Sequence, residues 1–125
     1  MDASRLRQKI LLLDQKRLSL IKILLHPLPM ISGSLYQMHR ACGNPHCKCS
    51  RGELHSSWYL STRKENKTKL IYIGKIVPEW LSTHVQRYRR YQKTLAKIRK
   101  IDSEISVTLN QLRDGKLKSF HKDPQ

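Results

Sequence analysis

Residues 78–115 read PEWLSTHVQRYRRYQKTLAKIRKIDSEISVTLNQLRDG and have the most regular apolar pattern in the sequence. Apolar residues recur in it at three- and four-residue steps, the period of an amphipathic helix: Leu81, Val85, Tyr88, Leu95, Ile98, Ile105, Leu109 and Leu112. Pro78 suits the first turn of a helix, and Gly115 suits its C-terminal stop. We predict a long basic helix over residues 78–114, about 50 Å in length, and a flexible tail over residues 115–125.

A helix of that length cannot be covered by a small sheet alone, and the N-terminus offers a partner. Residues 1–26 are predicted to form a helix that Pro27 and Pro29 end. Its apolar stripe is Leu6, Ile10, Leu13, Leu20 and Leu24, interrupted by Arg17, and a flanking stripe is Leu11, Leu18 and Leu25. We predict that the two helices pair as a coiled-coil hairpin. A homodimer through the helices stays open as the alternative.

Three short segments between the helices have the composition of strands. They are residues 34–39, 58–63 and 69–73, with a polar turn over residues 64–67. A two-stranded hairpin alone is marginal in water, so the first segment is the natural third strand. The predicted fold class is α+β. A zinc-stapled three-stranded antiparallel sheet over residues 30–75 is flanked by the N-terminal helix and the long C-terminal helix, in one domain overall.

The zinc site is predicted from a cluster of soft ligands in the loop before the second strand. Its members have the pattern C-x4-C-x-C-x5-H and are Cys42, Cys47, Cys49 and His55. Three thiolates and an imidazole suit a structural Zn²⁺ and leave no coordination position open for substrate. His46 and His39 compete with His55 as the fourth ligand, and three free cysteines beside a surface histidine are the alternative without metal. An odd number of closely spaced cysteines also argues for a reducing, cytoplasmic location.

Positive charge is the dominant global feature of the chain. It has 25 Lys and Arg residues against 9 Asp and Glu residues, a formal net charge of +16. The excess is concentrated in residues 36–100, which contain 15 basic residues and three acidic ones. The electrostatic field of this excess positive charge attracts polyanions, and nucleic acid is the usual partner of such a protein. A solvated basic surface and an anionic membrane surface are the alternatives, and no apolar run is long enough to span a membrane.

The candidate nucleic-acid contacts fall into three basic groups and a set of aromatic residues. The metal loop contributes Arg40, Lys48 and Arg51. The hairpin contributes Arg63, Lys64, Lys67, Lys69 and Lys75. The long helix contributes Arg87, Arg89, Arg90, Lys93 and Lys97. Tyr36 and Tyr59 are the predicted aromatic contacts, and a sheet that presents them with Trp58 and Tyr72 could stack unpaired bases. Packing of the sheet against the helices is the alternative role of these rings.

Patterns typical of enzymes are missing from the sequence. It has no pair of carboxylates at a useful spacing, no G-x-S-x-G motif and no phosphate-binding loop. A magnesium-dependent nuclease needs clustered acids, and the acids here are few and dispersed. We therefore predict a binding protein and not an enzyme.

Several short motifs resemble those of a small family of uncharacterised prokaryotic proteins. They are G-S-L-Y at residues 33–36, C-G at 42–43, C-x-C at 47–49, W-Y-L at 58–60, K-T-K-L-I-Y at 67–72 and Y-R-R at 88–90. Ser56 and Ser57 stand where that family usually has Gly-Pro, which loosens the turn after His55. The family has no assigned activity and is similar to others found around transposons and phages.

A second resemblance is at the level of the fold. Three strands followed by a helix, opened by G-S-L-Y, resemble the arm-binding domains of tyrosine recombinases, which lay a three-stranded sheet into the DNA major groove. The residues that this resemblance implies to face DNA are Tyr36, Met38, Arg40, Tyr59, Ser61 and Arg63.

Together these observations predict a zinc-containing nucleic-acid-binding protein. We expect double-stranded DNA as the ligand and an accessory or regulatory role in a mobile element or phage. One alternative is a zinc-stabilised adaptor that docks on a larger nucleic-acid enzyme. Another alternative is a protein that binds structured RNA.

Overall fold

The computed structural model describes residues 2–40, 44–46, 52 and 55–120 of the 125-residue chain. The elements follow in the order α1 (Ala3–Leu24), β1 (Ser34–Arg40), β2 (His55–Lys64), β3 (Lys67–Gly74) and α2 (Glu79–Asp114). This order confirms the α+β class, with an N-terminal helix, a three-stranded antiparallel sheet and a long C-terminal helix. No helix in the described ranges has an apolar stretch sufficient to cross a bilayer.

The chain is divided into two compact units. The helical unit consists of Met1–Pro27 and Gln92–Gln125, and the sheet unit consists of Leu28–Tyr91. α2 therefore contributes its first part to the sheet unit and its remainder to the helical unit.

In the helical unit, α1 packs along the stripe that the sequence predicts. Leu6 and Leu24 are buried at its two ends. The half-buried positions between them are Ile10, Leu13, Arg17, Leu20 and Ile21. The Asp2 carboxylate caps the helix by accepting a hydrogen bond from the Arg5 N–H at 2.9 Å. The flanking stripe of Leu11, Leu18 and Leu25 is 52–64% exposed, so it lies on the surface of the described unit.

The distal part of α2 buries a stripe that differs from the predicted one. Ile98, Ile101 and Thr108 are buried, whereas Leu109, which we placed on the stripe, is exposed. Positions 98, 101, 105, 108 and 112 are buried or half-buried and follow the 3.5-residue repeat of paired helices, and the further half-buried positions of this part are 94, 95, 102 and 104. Thr108 satisfies its buried hydroxyl by donating to the Glu104 carbonyl at 2.7 Å. Apolarity alone therefore assigned position 109 wrongly to the packed face.

An ion pair in the helical unit joins two polar residues that interrupt the apolar stripes. The Arg17 Nε lies 2.6 Å from the Asp102 Oδ1, and both side chains are more than a third exposed. Exposed pairs of this kind contribute about 0.2–1 kcal/mol. The pair thus adds little stability, but it specifies which turn of α1 lies beside which turn of α2.

In the sheet unit, β2 is the central strand, with β1 and β3 antiparallel on either side. β2 and β3 are joined by Glu65 and Asn66 alone, which have φ values of +52° and +64°. Positive φ at both residues is the requirement of a two-residue type I′ turn. The predicted four-residue turn was too long, because Lys64 and Lys67 pair with each other in the ladder.

The core of the sheet unit lies between one face of the sheet and the first turns of α2. Leu60, Leu81 and Val85 are buried together. Partly buried residues packed against them are Ile31, Leu35, Ile73 and Val77. The core is small, so the unit depends on close backbone contacts as well as on apolar burial.

The segment before β1 is fastened to its neighbours by such contacts. Ile31 N–H donates to a carbonyl of α2 at 3.1 Å, and the Thr62 hydroxyl donates to the Ser32 carbonyl at 2.8 Å. Gly33 follows with a φ of +152°, and a Cβ atom at this position would lie 2.7 Å from the Ser61 carbonyl oxygen. Glycine alone fits here, which explains the first residue of the G-S-L-Y motif.

Candidate nucleic-acid interface

The sheet has one packed face and one open face, because successive side chains of a strand point to opposite sides. Leu35, Leu60 and Ile73 contribute to the packed face. We call the other side the open face. Its described residues are Ser34, Tyr36, Met38, His55, Ser57, Tyr59, Ser61, Arg63, Thr68, Leu70 and Tyr72.

Three tyrosines form a row across the open face, one on each strand. Tyr59 is paired with Tyr36 on β1 and with Tyr72 on β3. The ring centroids of Tyr36 and Tyr59 are 6.4 Å apart, with planes inclined by 26°, and those of Tyr59 and Tyr72 are 5.5 Å apart, edge to face. Tyr72 is 62% exposed. The two tyrosines proposed as contacts from sequence thus share one surface, and Tyr72 extends it.

Trp58 does not belong to this row. It is two residues from Leu60 on β2 and is paired with Gln37, so it lies on the packed side of the sheet. Gln37 donates from its side-chain amide to the Ser56 hydroxyl on that same side. The expectation that Trp58 joins the tyrosines on one surface is therefore wrong, and the alternation of β2 was the signal that separates it from Tyr59.

The sheet unit is strongly basic. Residues 28–91 contain eleven Lys and Arg residues and three Glu residues, an excess of eight positive charges. Arg63 lies on the open face near the hairpin turn, while Lys64, Lys67 and Lys69 alternate to the other side and are exposed. Lys75 is exposed just after β3. Positive charge thus surrounds the turn end of the sheet on both sides.

The basic residues of α2 have different surroundings. Arg87 is half-buried and donates from its guanidinium to the Pro29 carbonyl at 3.2 Å, which gives it a structural role before β1. Arg89 and Arg90 are exposed in the sheet unit, and Lys93 and Lys97 are exposed in the helical unit. Sequence alone could not separate Arg87 from Arg89, because both belong to one basic run.

The predicted metal loop lies mostly outside the described residues. Those outside are Cys42, Cys47, Cys49, Lys48 and Arg51, and the side chain of Arg40 is also outside. The candidate histidines are described. His55 is exposed at the start of β2, His39 is exposed in β1, and His46 donates its N–H to the Asn44 side-chain oxygen at 3.0 Å.

The described strands show how the ends of the metal loop are held. The last residue of β1, Arg40, is paired directly with the first residue of β2, His55. The two strands that border residues 41–54 are therefore paired at this level, and His55 is the first residue of β2. Among the described residues no three His, Cys, Asp or Glu side chains are grouped to hold a metal ion, and all three cysteines lie outside that set. Thiolate and imidazole donors on a closed loop fit Zn²⁺.

Comparison with known proteins identifies the family of the chain. No curated protein and no solved structure matches it, so the resemblance to recombinase arm-binding domains stays a prediction. A family model described as a domain of unknown function (DUF6788) matches residues 4–83, which include α1, the whole sheet and the first residues of α2. Because this match covers more than half of the sequence, the chain belongs to the family of domains of unknown function DUF6788.

Proposed function

We propose that this protein binds nucleic acid and that the open face of the sheet makes the contact. The observation that carries the proposal is the row of Tyr36, Tyr59 and Tyr72 on an otherwise basic unit. Aromatic rings hold bases, and nearby cations hold phosphates, in many folds that bind nucleic acid. A sheet that acts only as a scaffold gains little from an aromatic surface beside water.

The charges at the turn end of the sheet support the same proposal. Lys64 and Lys67 are directly opposite each other in the ladder. Like charges in this position destabilise a sheet, so the pair has a cost that folding alone does not explain. A phosphate bound beside the two ammonium groups offsets that repulsion. Arg63 on the open face supplies a further cation for the backbone of the ligand, and Arg89 and Arg90 on α2, whose first turns pack against the opposite face, would meet a ligand that continues around the edge of the sheet.

Zinc belongs to the same proposal as a structural element. Cys42, Cys47, Cys49 and His55 are the proposed ligands, and the pairing of Arg40 with His55 supports a loop whose ends are already together. Bound zinc supplies stability that the small apolar core of the sheet unit lacks. The four residues fill its coordination shell, so the proposed protein is a binding protein and not an enzyme.

The role of the helical unit in this proposal is architectural. The 3.5-residue burial repeat of α2 and the pair of Arg17 with Asp102 support a coiled-coil hairpin of α1 with the distal part of α2. The resemblance to prokaryotic proteins found around transposons and phages supports an accessory or regulatory role in such an element, in the cytoplasm. Duplex DNA, single strands and structured RNA are ligand classes that binding experiments separate.

Salt-dependent binding tests the proposed function. Purified protein with quantified zinc is titrated against a labelled DNA duplex, a DNA single strand and an RNA hairpin at low and physiological salt, with fluorescence anisotropy as the readout. The expected result is binding to at least one of them that weakens steeply as salt rises, because phosphate contacts release counterions. Absence of binding to all three by a protein that contains one zinc per chain contradicts the proposal and favours the adaptor alternative.

A further inference from the structure

We propose that the open face recognises unpaired bases, which stack on the row of Tyr36, Tyr59 and Tyr72. This inference rests on the proposed nucleic-acid function and names the class of ligand for the same site. Each strand contributes one ring, so the row crosses the full width of the sheet. Every base has a π-face, and stacking on an aromatic side chain is the common way in which sheets bind single strands.

The chemistry of the remaining open face favours unpaired bases over a duplex. The bidentate contacts by which proteins best discriminate base pairs in the major groove of duplex DNA come from Arg, Lys, Asn and Gln side chains. Among the described side chains of the open face, Arg63 is the only one of these types. The others near the tyrosines are hydroxyl or apolar side chains: Ser34, Met38, Ser57, Ser61, Thr68 and Leu70. In a duplex the π-faces of the bases are covered by their neighbours, so the tyrosine rings have nothing to stack on.

The arrangement of the rings indicates which of them matters most for binding. Tyr59 is in the central strand and contacts both neighbouring rings, so much of its surface is used within the row. Tyr72 lies on the edge strand β3 and is 62% exposed, so its ring is the most available to a ligand. The exposed cations Lys64, Lys67 and Lys75 flank the same strand at its two ends, where the phosphates of a bound strand would be neutralised.

Tyrosine variants test this inference. The probes are a labelled oligothymidine of about 12 nucleotides, within the site sizes of folds that bind single strands, and a duplex of the same length. Tyr72→Leu keeps an apolar side chain but removes the ring, and it is expected to weaken binding of the single strand by about 5- to 150-fold, which corresponds to about 1–3 kcal/mol for one stacked base. Tyr72→Phe keeps the ring and is expected to retain most of the affinity. Ile76→Ala is the matched control, because this apolar side chain is 83% exposed after the end of β3 and is not part of the open face, and it is expected to change the affinity little.

The outcomes separate this inference from the proposed function. Tight salt-dependent binding to the duplex, no weaker than to the single strand, or a Tyr72→Leu affinity equal to wild type, overturns the stacking inference and leaves the nucleic-acid function in place. No salt-dependent binding to either probe removes both. Tyr36→Leu, on the opposite edge strand, gives an independent test if Tyr72→Leu folds poorly, and thermal melts of all variants check the fold.

A second inference rests on the helical unit and is independent of nucleic acid. We infer that two copies of the chain associate through an antiparallel pairing of their α1 helices, centred on Leu18. Leu11, Leu18 and Leu25 follow at seven-residue steps, so they form a line along one side of α1, and each is more than half exposed. This line is distinct from the stripe that packs within the unit.

The charges beside this line specify the second copy and its direction. Asp14 and Lys22 are exposed and lie four residues before and four residues after Leu18. In an antiparallel pair centred on Leu18, Leu11 lies level with Leu25 of the second copy, and Asp14 lies level with Lys22 of the second copy, twice by symmetry. A parallel pair places Asp14 beside Asp14 and Lys22 beside Lys22, which repel. α1 is therefore complementary to itself in one direction only.

Sedimentation equilibrium of the full chain without nucleic acid tests this second inference. A dimer is expected at micromolar concentration. Leu18→Glu is expected to give a monomer, whereas Ile23→Glu, at an exposed position off the line, is expected to remain a dimer. Asp14→Lys alone is expected to weaken the dimer, and Asp14→Lys combined with Lys22→Asp is expected to restore it. A wild-type chain that stays monomeric, or a double variant no tighter than the single one, overturns the inference.

Discussion

Gly33→Ala is expected to destabilise the sheet unit far more than an ordinary surface substitution. Gly33 has a φ of +152°, and an alanine in such a conformation costs about 1–3 kcal/mol. Its Cβ atom would also lie 2.7 Å from the backbone oxygen of Ser61, and overpacking of this kind adds about 1–3 kcal/mol. The carbonyl of Ser61 cannot rotate away cheaply, because β1 and β2 pair at this level. The free energy of unfolding should therefore fall by about 2–6 kcal/mol.

Urea unfolding monitored by tryptophan fluorescence measures this change, since both tryptophans, Trp58 and Trp80, belong to the sheet unit. Gly74→Ala is the matched control. Gly74 also has a positive φ, +128°, but nothing lies within 4 Å of its Cβ position. The control should lose the strain energy alone, so Gly33→Ala should be the less stable of the two by about 1–3 kcal/mol. If the two variants were equally stable, the close approach of the Gly33 backbone to β2 would not be the reason that a glycine is required at position 33.

Three further predictions concern the core, the metal and the basic helix. Leu60→Ala should lower the free energy of unfolding by about 2–5 kcal/mol, whereas Leu70→Ala on the exposed face should change it by less than about 0.5 kcal/mol; similar losses in urea unfolding would contradict the assigned core. Cys47→Ser should lose bound zinc and cooperative thermal unfolding together, and a wild-type melting curve would remove the structural zinc. Replacing Arg89 and Arg90 by Ala should flatten the plot of log affinity against log salt by about 0.7–0.9 for each lost phosphate contact, and an unchanged slope moves the contact elsewhere.

Periodicity predicted most of the fold because the two helices are long and regularly patterned. The apolar stripe of α1 from Leu6 to Leu24 is the packed stripe in the structure. The error lay in α2, where Thr108 is buried and Leu109 is exposed. A threonine whose hydroxyl bonds to the preceding turn behaves as an apolar residue, and a scale of residue hydrophobicity does not contain that hydrogen bond. The hairpin turn was predicted in the right place but two residues too long, because Glu65 and Asn66 do not form the Asn-Gly pair that is usual in a two-residue turn.

Part of the candidate site could be predicted from the sequence, namely the part that follows from the alternation of side chains along each strand. Alternation correctly places Tyr36 and Tyr59 on one face, because they are paired residues of neighbouring strands. The same alternation places Trp58 on the opposite face of the sheet from the tyrosines, whereas composition alone groups all of these aromatic residues together. The contact of Arg87 with the Pro29 carbonyl was beyond sequence reasoning, since it joins residues 58 positions apart. Tertiary contacts of this kind decide which residues of a basic run are left for a ligand.

Photo-crosslinking shows in one experiment whether the protein binds nucleic acid and whether the open face of the sheet makes the contact. An oligonucleotide that carries 5-iodouracil is irradiated with the full chain at physiological salt, and the crosslinked residues are identified by mass spectrometry. Crosslinks are expected at Tyr36, Tyr59 or Tyr72 on the open face. Crosslinks confined to α1 or to the distal part of α2, with none on the sheet, would contradict the proposed contact.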